Sequence, residues 1–451
     1  AFGKSSIITN SKRNFNGFSA YRSLRENAFL RGTAISIDLD KWVFGAFASY
    51  KKVDGNGIYT SDTLLEGSED LVGISSIQED GGFHRTPNEI ADKDILRDFQ
   101  TGGYLEWKGT SGKIGAVSYI RRLDAPFTLN SQPYNQFNFQ GDQYSKNGLY
   151  YDFVFRNMNI YGEVSHSSFE NRFAQIHGAL ISLNSVLDLS FLYRDYQNGF
   201  INLQTNGFGE GSNSSNEKGV YVGFQASISR NIKILGYYDL YRFPWLRFQA
   251  NGPSSGDDFW IEAIYKPNKQ FQAYYRFRTE TKQSNLTTER AKQIAEETTS
   301  RHRLHISYKL NKSLELRNRI EWSLFSTNST SSGGSLMYQD ILYKPFGRKM
   351  QVTGRIAYSQ IESFENRIYS FEQSPLYDYP LFTHGFSGLR FYLMTRYKPT
   401  RNTDIWFKYG YIQHDVPLNQ FAGNYTIGSG LASTSGNQRH TFTVQFRYTI
   451  K

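Results

Sequence analysis

Residues 301–325 read RHRLHISYKLNKSLELRNRIEWSLF, and apolar and polar residues alternate along both halves of this stretch. The apolar positions are Leu304, Ile306, Tyr308, Leu310, Leu314, Leu316, Ile320, Trp322 and Leu324. The positions between them carry Arg303, His305, Ser307, Lys309, Glu315, Arg317, Arg319, Glu321 and Ser323. A period of two places successive side chains on opposite faces of a β-strand. The stretch therefore predicts a β-hairpin that turns at Asn311 and Lys312, with one apolar face and one charged face.

Two classes of protein use such strands in opposite ways. A soluble β-sandwich packs the apolar face into its core, whereas a membrane β-barrel turns this face to lipid and keeps the charged face in a wet lumen. The composition permits a barrel: the 451 residues have a mean hydropathy of −0.55 and include 32 Tyr and 35 Phe. The sequence has no apolar run long enough for a transmembrane helix, but barrel strands are only half apolar and need none.

The connections between the strands favour the barrel. The alternation recurs in nine hairpins between residues 29 and 412 and in a last strand at 440–450, which gives nineteen strands. The hairpin turns are short, and the segments between hairpins are long and polar: 53–97, 123–147, 197–217, 243–258, 280–300, 325–335, 360–387 and 413–439. Short turns at one end and long loops at the other are typical of outer-membrane barrels, which usually have an even number of strands. We therefore predict an all-β, transmembrane antiparallel β-barrel of about 20 or more strands, with short periplasmic turns and long extracellular loops.

We assign residues 29–451 to this barrel. Residues 1–28 are polar and weakly periodic, and we predict that this N-terminal segment contributes to the first barrel strand or strands. At least one strand is needed beyond the nineteen counted to give an even number, and we predict that it comes from residues 1–28 or from sequence upstream of Ala1. Cysteine is absent, which removes disulfides and thiolate metal sites and fits an outer-membrane address.

Repeated tyrosines mark the ends of four strands that precede short turns. Three strands end in Tyr-Lys-Pro, and the fourth ends in Tyr-Lys without the proline. A periplasmic aromatic girdle is expected at this depth, and proline ends a hydrogen-bond ladder where no donor is needed. The alternative is a tyrosine-rich strand end of a soluble β-protein. The predicted girdle residues are Tyr265, Tyr308, Tyr343 and Tyr397.

Two of the long segments carry helix signals. Thr86, Pro87 and Glu89 have the spacing of a capping box with proline at the first helical position, which predicts a short helix over 86–94. Residues 287–297 also favour a helix. We interpret both as folded loops, with a plug or gate in the lumen as the alternative.

The polar face of the second half predicts the lining of the lumen. Its basic members are Arg276, Arg278, Arg303, Lys309, Arg317, Arg319, Arg355, Arg390, Arg396, Lys408 and Arg447. Its acidic members are fewer: Glu262, Glu315, Glu321, Asp340 and Asp404. Rings of Arg and Lys favour the passage of anions. The alternative is that these charges pair across strands and brace the wall, for which Glu315, Arg317, Arg319 and Glu321 are well placed.

No group of residues has the spacing of a catalytic or metal site. The eight histidines are scattered, and His302 and His305 fall on opposite faces of one strand. Zinc-binding spacings, a phosphate loop and a G-x-S-x-G serine motif do not occur. We therefore predict no catalytic residue, no metal ion and no cofactor. A barrel esterase or protease with Ser, His and acid from distant strands is the enzymatic alternative.

Four phrases near the start resemble a known family. They are GFSAYRS at 17–23, ENAFLRG at 26–32, FASYKKVD at 47–54 and GFHRT at 82–86. Each is similar to a signature of large outer-membrane β-barrels of Bacteroidota, whose members carry N-terminal helix-hairpin-helix repeats of the competence type. The resemblance covers residues 1–110 by motif and the rest by architecture. The repeats are not in this sequence, so a role in handling DNA, which the family implies, rests on residues outside it.

Together these features predict a non-enzymatic β-barrel of the bacterial outer membrane. The first hypothesis is a channel or translocation component for an anionic or polymeric solute; the resemblance, with the net charge of +10, extends this to DNA. A solvated surface bias is the simpler explanation of this charge, and we favour it. The alternative function is a structural subunit of a larger outer-membrane complex. The expected partners are membrane lipids including lipopolysaccharide and other outer-membrane or periplasmic proteins, with nucleic acid left open. An open bore favours transport, and a lumen filled by loop 53–97 or by a partner favours the structural role.

Overall fold

The computed structural model describes residues 12, 17–21, 29–61, 69–78, 84–201, 203, 207–287, 292–347, 349–378, 380–415, 425–428 and 433–450. The chain divides into two compact units. Unit 1 comprises residues 1–225, 237–257 and 283–294, and unit 2 comprises residues 226–236, 258–282 and 295–451. In the described residues the fold is all-β, with one large antiparallel sheet of 21 strands. The predicted fold of about 20 or more antiparallel strands is confirmed.

The strands of the first half of the chain carry most of unit 1. They are β1 (Gly32–Leu39), β2 (Trp42–Val53), β3 (Gly55–Ser61), β4 (Glu69–Ile77), β5 (Leu96–Gly109), β6 (Gly112–Phe127), β7 (Gly141–Phe155), β8 (Met158–Ser167), β9 (Arg172–Ser182), β10 (Leu187–Tyr196), β11 (Glu217–Ala226) and β12 (Ile232–Phe243). From β1 to β10 each long strand pairs with the next, and β3 and β4 form an inserted hairpin between β2 and β5.

The strands of the second half carry most of unit 2. They are β13 (Ser254–Tyr265), β14 (Phe271–Thr287), β15 (Lys292–Lys309), β16 (Leu314–Thr327), β17 (Ser331–Tyr343), β18 (Met350–Ile361), β19 (Ile368–Phe371), β20 (Leu381–His384), β21 (Gly388–Tyr397), β22 (Thr403–His414), β23 (Thr426–Ile427), β24 (Thr434–Ser435) and β25 (Gln438–Tyr448). The pairing runs from β15 through β18 to β21, β22 and β25. The pairs β19–β20 and β23–β24 are small separate sheets within the connections.

The hairpin at 301–325 forms as predicted. β15 and β16 pair with Arg303 opposite Glu321 and Lys309 opposite Glu315. The side-chain oxygen of Asn311 accepts hydrogen bonds from the backbone N–H groups of Ser313 and Leu314, at 2.8 and 2.9 Å, which closes the turn.

Two of the predicted long segments are instead occupied largely by strands. β14 and β15 extend through most of 280–300, and β16 and β17 through most of 325–335. The predicted helix at 287–297 is therefore wrong, since β15 occupies residues 292–297. Polar pairs hold this extension: the hydroxyls of Thr279 and Ser300 lie 3.1 Å apart. With polar residues on both faces, the apolar alternation that marks a strand disappears.

The predicted helix near residue 86 is present as α1 (Pro87–Ala91). The Glu89 backbone N–H donates to the Thr86 hydroxyl at 3.2 Å, and the Glu89 carboxylate accepts from the Thr86 backbone N–H at 3.2 Å. This reciprocal pair is the predicted capping box. The helix ends at Ala91, before the predicted end at Asp94.

Both units have inverted faces, with apolar side chains exposed and charged ones covered. On β18, Ile356 and Tyr358 are 54% and 51% exposed, whereas Arg355 and Ser359 on the other face are 4% and 3% exposed. On β10, Phe191 and Tyr193 are exposed and Ser190 and Arg194 are buried. The apolar cores therefore lie on the covered side, where connecting segments pack. In unit 1 this core includes Val53, Ile74, Leu96, Leu123 and Phe139.

The described part of the N-terminal segment lies outside any strand. The Phe18 ring packs edge-on against Phe47 and Tyr104, with centroids 5.9 and 5.4 Å apart. The Lys12 ammonium lies 2.6 Å from the Asp152 carboxylate. The other residues of the predicted segment, 1–11, 13–16 and 22–28, are not among the described residues.

Candidate functional site

The residues predicted to line the lumen lie on one face of the unit 2 strands, which we call the charged face. Those that are buried are Arg319, Arg355, Arg390, Lys408, Glu262, Glu321, Asp340 and Asp404. Those that are half-buried are Arg276, Arg278, Arg303, Arg317, Arg396, Arg447 and Glu315. Lys309, near the end of β15, is exposed. The structure thus brings fifteen of the sixteen residues together on the covered side of the sheet.

Ten of the eleven basic residues on this face are in ion pairs with carboxylates. In eight of these ion pairs the acidic partner also lies on a strand: Arg276–Glu262, Arg278–Asp258, Arg303–Glu321, Arg317–Glu315, Arg319–Glu321, Arg355–Asp340, Arg396–Asp404 and Arg447–Asp404. Asp340 and Arg355 are direct cross-strand partners, and the guanidinium donates two hydrogen bonds to the carboxylate at 2.5 and 2.8 Å. Opposite charges at such positions stabilise the pairing of neighbouring strands.

One connection of unit 2 folds back over the charged face. This segment, residues 362–387, contains a turn of 3-10 helix (Phe364–Asn366) and the hairpin of β19 and β20. Ile368 is 1% exposed and packs near the base of the segment with Leu336, Tyr338, Ala357 and Ile361. These contacts give the segment an apolar anchor where it leaves β18.

Beyond Ile368 the segment is attached mainly through polar groups. Arg319 donates to the backbone carbonyl of Tyr369 at 2.9 Å, and Arg355 donates to that of Phe371 at 2.8 Å. Gln445 on β25 donates to the carbonyl of Leu376 at 2.9 Å. Side chains of the strands therefore satisfy backbone acceptors of the segment, as a buried irregular chain requires.

Glu372 of this segment pairs with the two remaining basic residues. The Arg390 guanidinium donates to both Glu372 oxygens, at 2.8 and 2.7 Å, and the Lys408 ammonium lies 3.1 Å from one of them. Burial raises the pKa of Glu372, but the hydrogen bonds and positive charge of Arg390 and Lys408 outweigh it and hold this pKa below its ordinary value. The carboxylate is therefore ionised at neutral pH.

Sequence reasoning missed Glu372. It lies in a connection without periodicity, so nothing in its neighbourhood marks its side chain as inward. The one signal that points to it is the surplus of basic over acidic residues on the predicted face, because buried cations need a compensating anion.

Unit 1 has a related arrangement. The fully buried Arg194 guanidinium donates to Glu217 at 2.6 Å and to Asp239 at 2.7 and 3.1 Å. The Glu217 carboxylate also accepts the backbone N–H groups of Glu210 and Gly211 at 2.8 and 2.7 Å. A strand ion pair thus holds a connecting segment in this unit too.

The four predicted girdle tyrosines lie at the strand ends that precede short turns, on the exposed face. Tyr265, Tyr308, Tyr343 and Tyr397 are 43–48% exposed. The Phe271 ring joins two of them, with centroids 6.2 Å from Tyr265 and 6.4 Å from Tyr308.

These features define the class of protein. Long antiparallel strands with exposed apolar faces, covered charged faces and tyrosines at strand ends are those of an outer-membrane β-barrel. Within the described part of the chain, no helix is long and apolar enough to cross a membrane. Among these same residues there is no group of three His, Cys, Asp or Glu side chains placed to hold a metal ion.

No protein-family model and no curated protein matches the chain. Among solved structures it is similar to the ferripyoverdine receptor of the outer membrane of Pseudomonas aeruginosa, at 13% identity and a TM-score of 0.46 over 92% of this chain. It is also similar to the ferric enterobactin receptor PfeA of the same species, at 7% identity and a TM-score of 0.47 over 93% of this chain. The siderophore receptor PirA of Acinetobacter baumannii is similar at 10% identity and a TM-score of 0.45, also over 93% of this chain. The chain spans 64%, 69% and 71% of their respective lengths.

Proposed function

We propose that the protein is a non-enzymatic transport barrel of the outer membrane that passes an anionic solute along its charged face. In this proposal the structure represents a closed state, in which residues 362–387 cover part of that face. Lipopolysaccharide and other membrane lipids surround the barrel. Nucleic acid, which the resemblance in residues 1–110 suggests, is one polymer of the required charge.

The observation that carries the proposal is the way the segment is attached. Beyond Ile368 its contacts to strands β16–β25 include hydrogen bonds from Arg319, Arg355 and Gln445 and the ion pairs of Glu372. A hydrogen bond to a charged group has a net value of about 1.5–3 kcal/mol, and a buried ion pair is costly to break unless another charge replaces the lost partner. Polar contacts of this kind can be exchanged for those of a competing anion, which a large buried apolar surface cannot.

A structural subunit is the second candidate, and one observation favours it. Ten of the eleven predicted lumen cations are in ion pairs, which stabilise the wall whether or not a solute passes. In that case the segment stays in place permanently, and the barrel serves as a scaffold for partner proteins.

Swelling of proteoliposomes distinguishes the two candidates. We would compare the wild-type protein with a variant in which residues 365–385 are replaced by a short Gly-Ser linker, using glucuronate and glucose as solutes of similar size. A transport barrel predicts faster swelling of the variant, with a preference for glucuronate. A matched replacement of residues 130–136 in unit 1 controls for loop removal as such. No swelling from the variant, with insertion confirmed by protease protection, contradicts transport and supports the structural subunit.

A further inference from the structure

The cations of the charged face are neutralised in two different ways. Arg303, Arg355 and Arg396 pair with carboxylates of the strands, so these charges remain balanced whatever the connections do. Arg390 on β21 and Lys408 on β22 differ. Among the described residues, their ion-pair partner is Glu372, which belongs to segment 362–387.

The arrangement around Glu372 has the geometry of a bound carboxylate ligand. Arg390 contributes two parallel N–H groups and Lys408 contributes a third donor, all within 3.1 Å of the carboxylate oxygens. The side chains of Arg390, Lys408 and Glu372 are 8%, 10% and 2% exposed. Bidentate donation from arginine matches planar carboxylate and phosphate groups, and lysine adds a point charge.

Movement of the segment would leave this pair of cations without its anion. A buried charge that loses its partner is costly, because its hydration is not restored in full. In the described state Arg390 also donates to the backbone carbonyl of Tyr411 on the neighbouring strand, at 3.4 Å. The hydroxyl of Tyr392, which accepts from the Gln373 backbone N–H at 3.2 Å, would be released beside the same cations.

We propose that Arg390 and Lys408 form a binding site for an anionic oxygen group of the solute, a carboxylate or a phosphate. Glu372 occupies this site as an internal ligand in the described state, and an incoming anion displaces it and frees segment 362–387. This inference deepens the proposed transport function and rests on it, because the site receives a solute only when solute reaches the charged face.

The remaining attachments of the segment fit such an exchange. The described ion pairs between the segment and strands β16–β25 both use Glu372, whereas Arg319, Arg355 and Gln445 contact backbone carbonyls. Competition with an anion acts on the charged contacts directly. The apolar anchor at Ile368 keeps the base of the segment in place while the outer part moves.

Because the sequence contains no cysteine, a single introduced cysteine is the only thiol that a labelling reagent can modify. Ser370 on β19 is fully buried, and its hydroxyl lies 3.2 Å from an Arg355 nitrogen and 2.9 Å from the His384 ring. In a Ser370→Cys variant of the full chain, reaction with a charged, membrane-impermeant thiol reagent reports exposure of the segment. Ser190→Cys on β10, also fully buried but outside the segment, checks that the barrel remains folded.

We expect inorganic phosphate and acetate to accelerate labelling of Ser370→Cys saturably, relative to chloride at equal ionic strength. Adding Glu372→Gln should raise the basal rate by about tenfold or more, because a hydrogen bond to a charged group is lost. Glu365→Gln is the matched control, since this carboxylate lies in the same segment, pairs with Arg367 and is 55% exposed. It should leave the rate unchanged. Arg390→Gln and Lys408→Gln should each abolish the response to anions.

Two outcomes overturn the proposal. Labelling that is insensitive to phosphate and acetate in the wild-type background, although Glu372→Gln raises it, shows that Glu372 is an anchor and that the cations bind no external anion. An anion response that persists in both Arg390→Gln and Lys408→Gln places the binding site elsewhere. Failure of the transport function is distinguishable, because it removes solute passage from proteoliposomes while leaving an anion response of the purified protein intact.

Discussion

The Glu372 carboxylate accepts two hydrogen bonds from the Arg390 guanidinium, at 2.8 and 2.7 Å, and so joins a connecting segment to a strand of the wall. The two residues are 18 positions apart, and each side chain is less than a tenth exposed. Most other arginines of this face are paired within the strands. Arg390 therefore differs from the arginines whose partners lie on the strands, because its carboxylate partner belongs to a connecting segment.

Buried strand pairs should dominate the stability of the wall. Arg121 donates to both Asp98 oxygens, at 2.9 and 3.0 Å, with the two side chains 2% and 0% exposed. We expect Asp98→Asn to lower the free energy of unfolding by about 3–5 kcal/mol, because it leaves a buried guanidinium without its counter-charge. Reversible urea unfolding in lipid vesicles, followed by tryptophan fluorescence, measures this.

The matched control for that prediction is Asp38→Asn. The Lys108–Asp38 pair has a similar length, 3.0 Å, but its side chains are 43% and 63% exposed. Exposed pairs contribute about 0–1 kcal/mol. Equal effects of the two substitutions would show that burial on the covered face does not strengthen these pairs.

The exposed apolar face should tolerate no charge at mid-strand. Ile356 lies near the middle of β18 and is 54% exposed. In lipid, an arginine at this depth is expected to cost about 2–4 kcal/mol. Ile356→Arg should therefore reduce folding yield into vesicles, measured by the heat-dependent shift in gel mobility, whereas Thr400→Arg in the turn before β22 should not. A normal yield for Ile356→Arg would mean that this face does not contact hydrocarbon.

The four girdle tyrosines should lie at the membrane interface. We would replace Tyr343 with cysteine, attach an environment-sensitive fluorophore and measure its quenching by lipids brominated at different depths. The girdle assignment predicts strongest quenching by shallow labels at Tyr343→Cys, and by deep labels at Ile356→Cys. A deep profile at both positions would contradict the assignment.

Acid should weaken the capping box of α1, because protonation of Glu89 removes its stabilisation of the helix. Hydrogen bonds from the Arg85 side chain and backbone lower the pKa of Glu89 from 4.5 to about 2. Because the folded pKa is depressed, this carboxylate stabilises the helix fully above pH 4.5, and the stabilisation is lost as the pH falls through about 2. The carboxyl carbon shift of Glu89 in an NMR titration measures the midpoint. Arg85→Gln should move it toward 4.5; an unchanged midpoint would contradict the assigned cause.

Local patterns in the sequence predict the elements whose contacts are local. The hairpin at 301–325 follows from its alternation and the turn at Asn311, and the register of Arg303 opposite Glu321 follows from that turn. The capping box needs only Thr86 and Glu89. In each case, interacting groups lie close in sequence, so their spacing carries the geometry.

Features that depend on distant contacts were not predictable in this way. The outer parts of β14 and β15 carry polar residues on both faces and lose the strand signal, although hydroxyl pairs such as Thr281 and Thr298 hold them together. Glu372 meets Arg390 and Lys408 only because segment 362–387 folds back over the sheet. No local periodicity encodes the folding back of this segment. The alternation of inward and outward positions along the strands therefore predicts Arg390 and Lys408 but not Glu372.

The most direct test of the transport account is single-channel conductance in a planar bilayer under a salt gradient. We would compare the wild-type protein with Glu372→Gln and the control Glu365→Gln. We expect small or rare steps for the wild type and the control. For Glu372→Gln we expect larger, stable steps with a reversal potential that shows anion preference and with block by an added oligonucleotide. A silent bilayer for all three proteins, with insertion established independently, would contradict it.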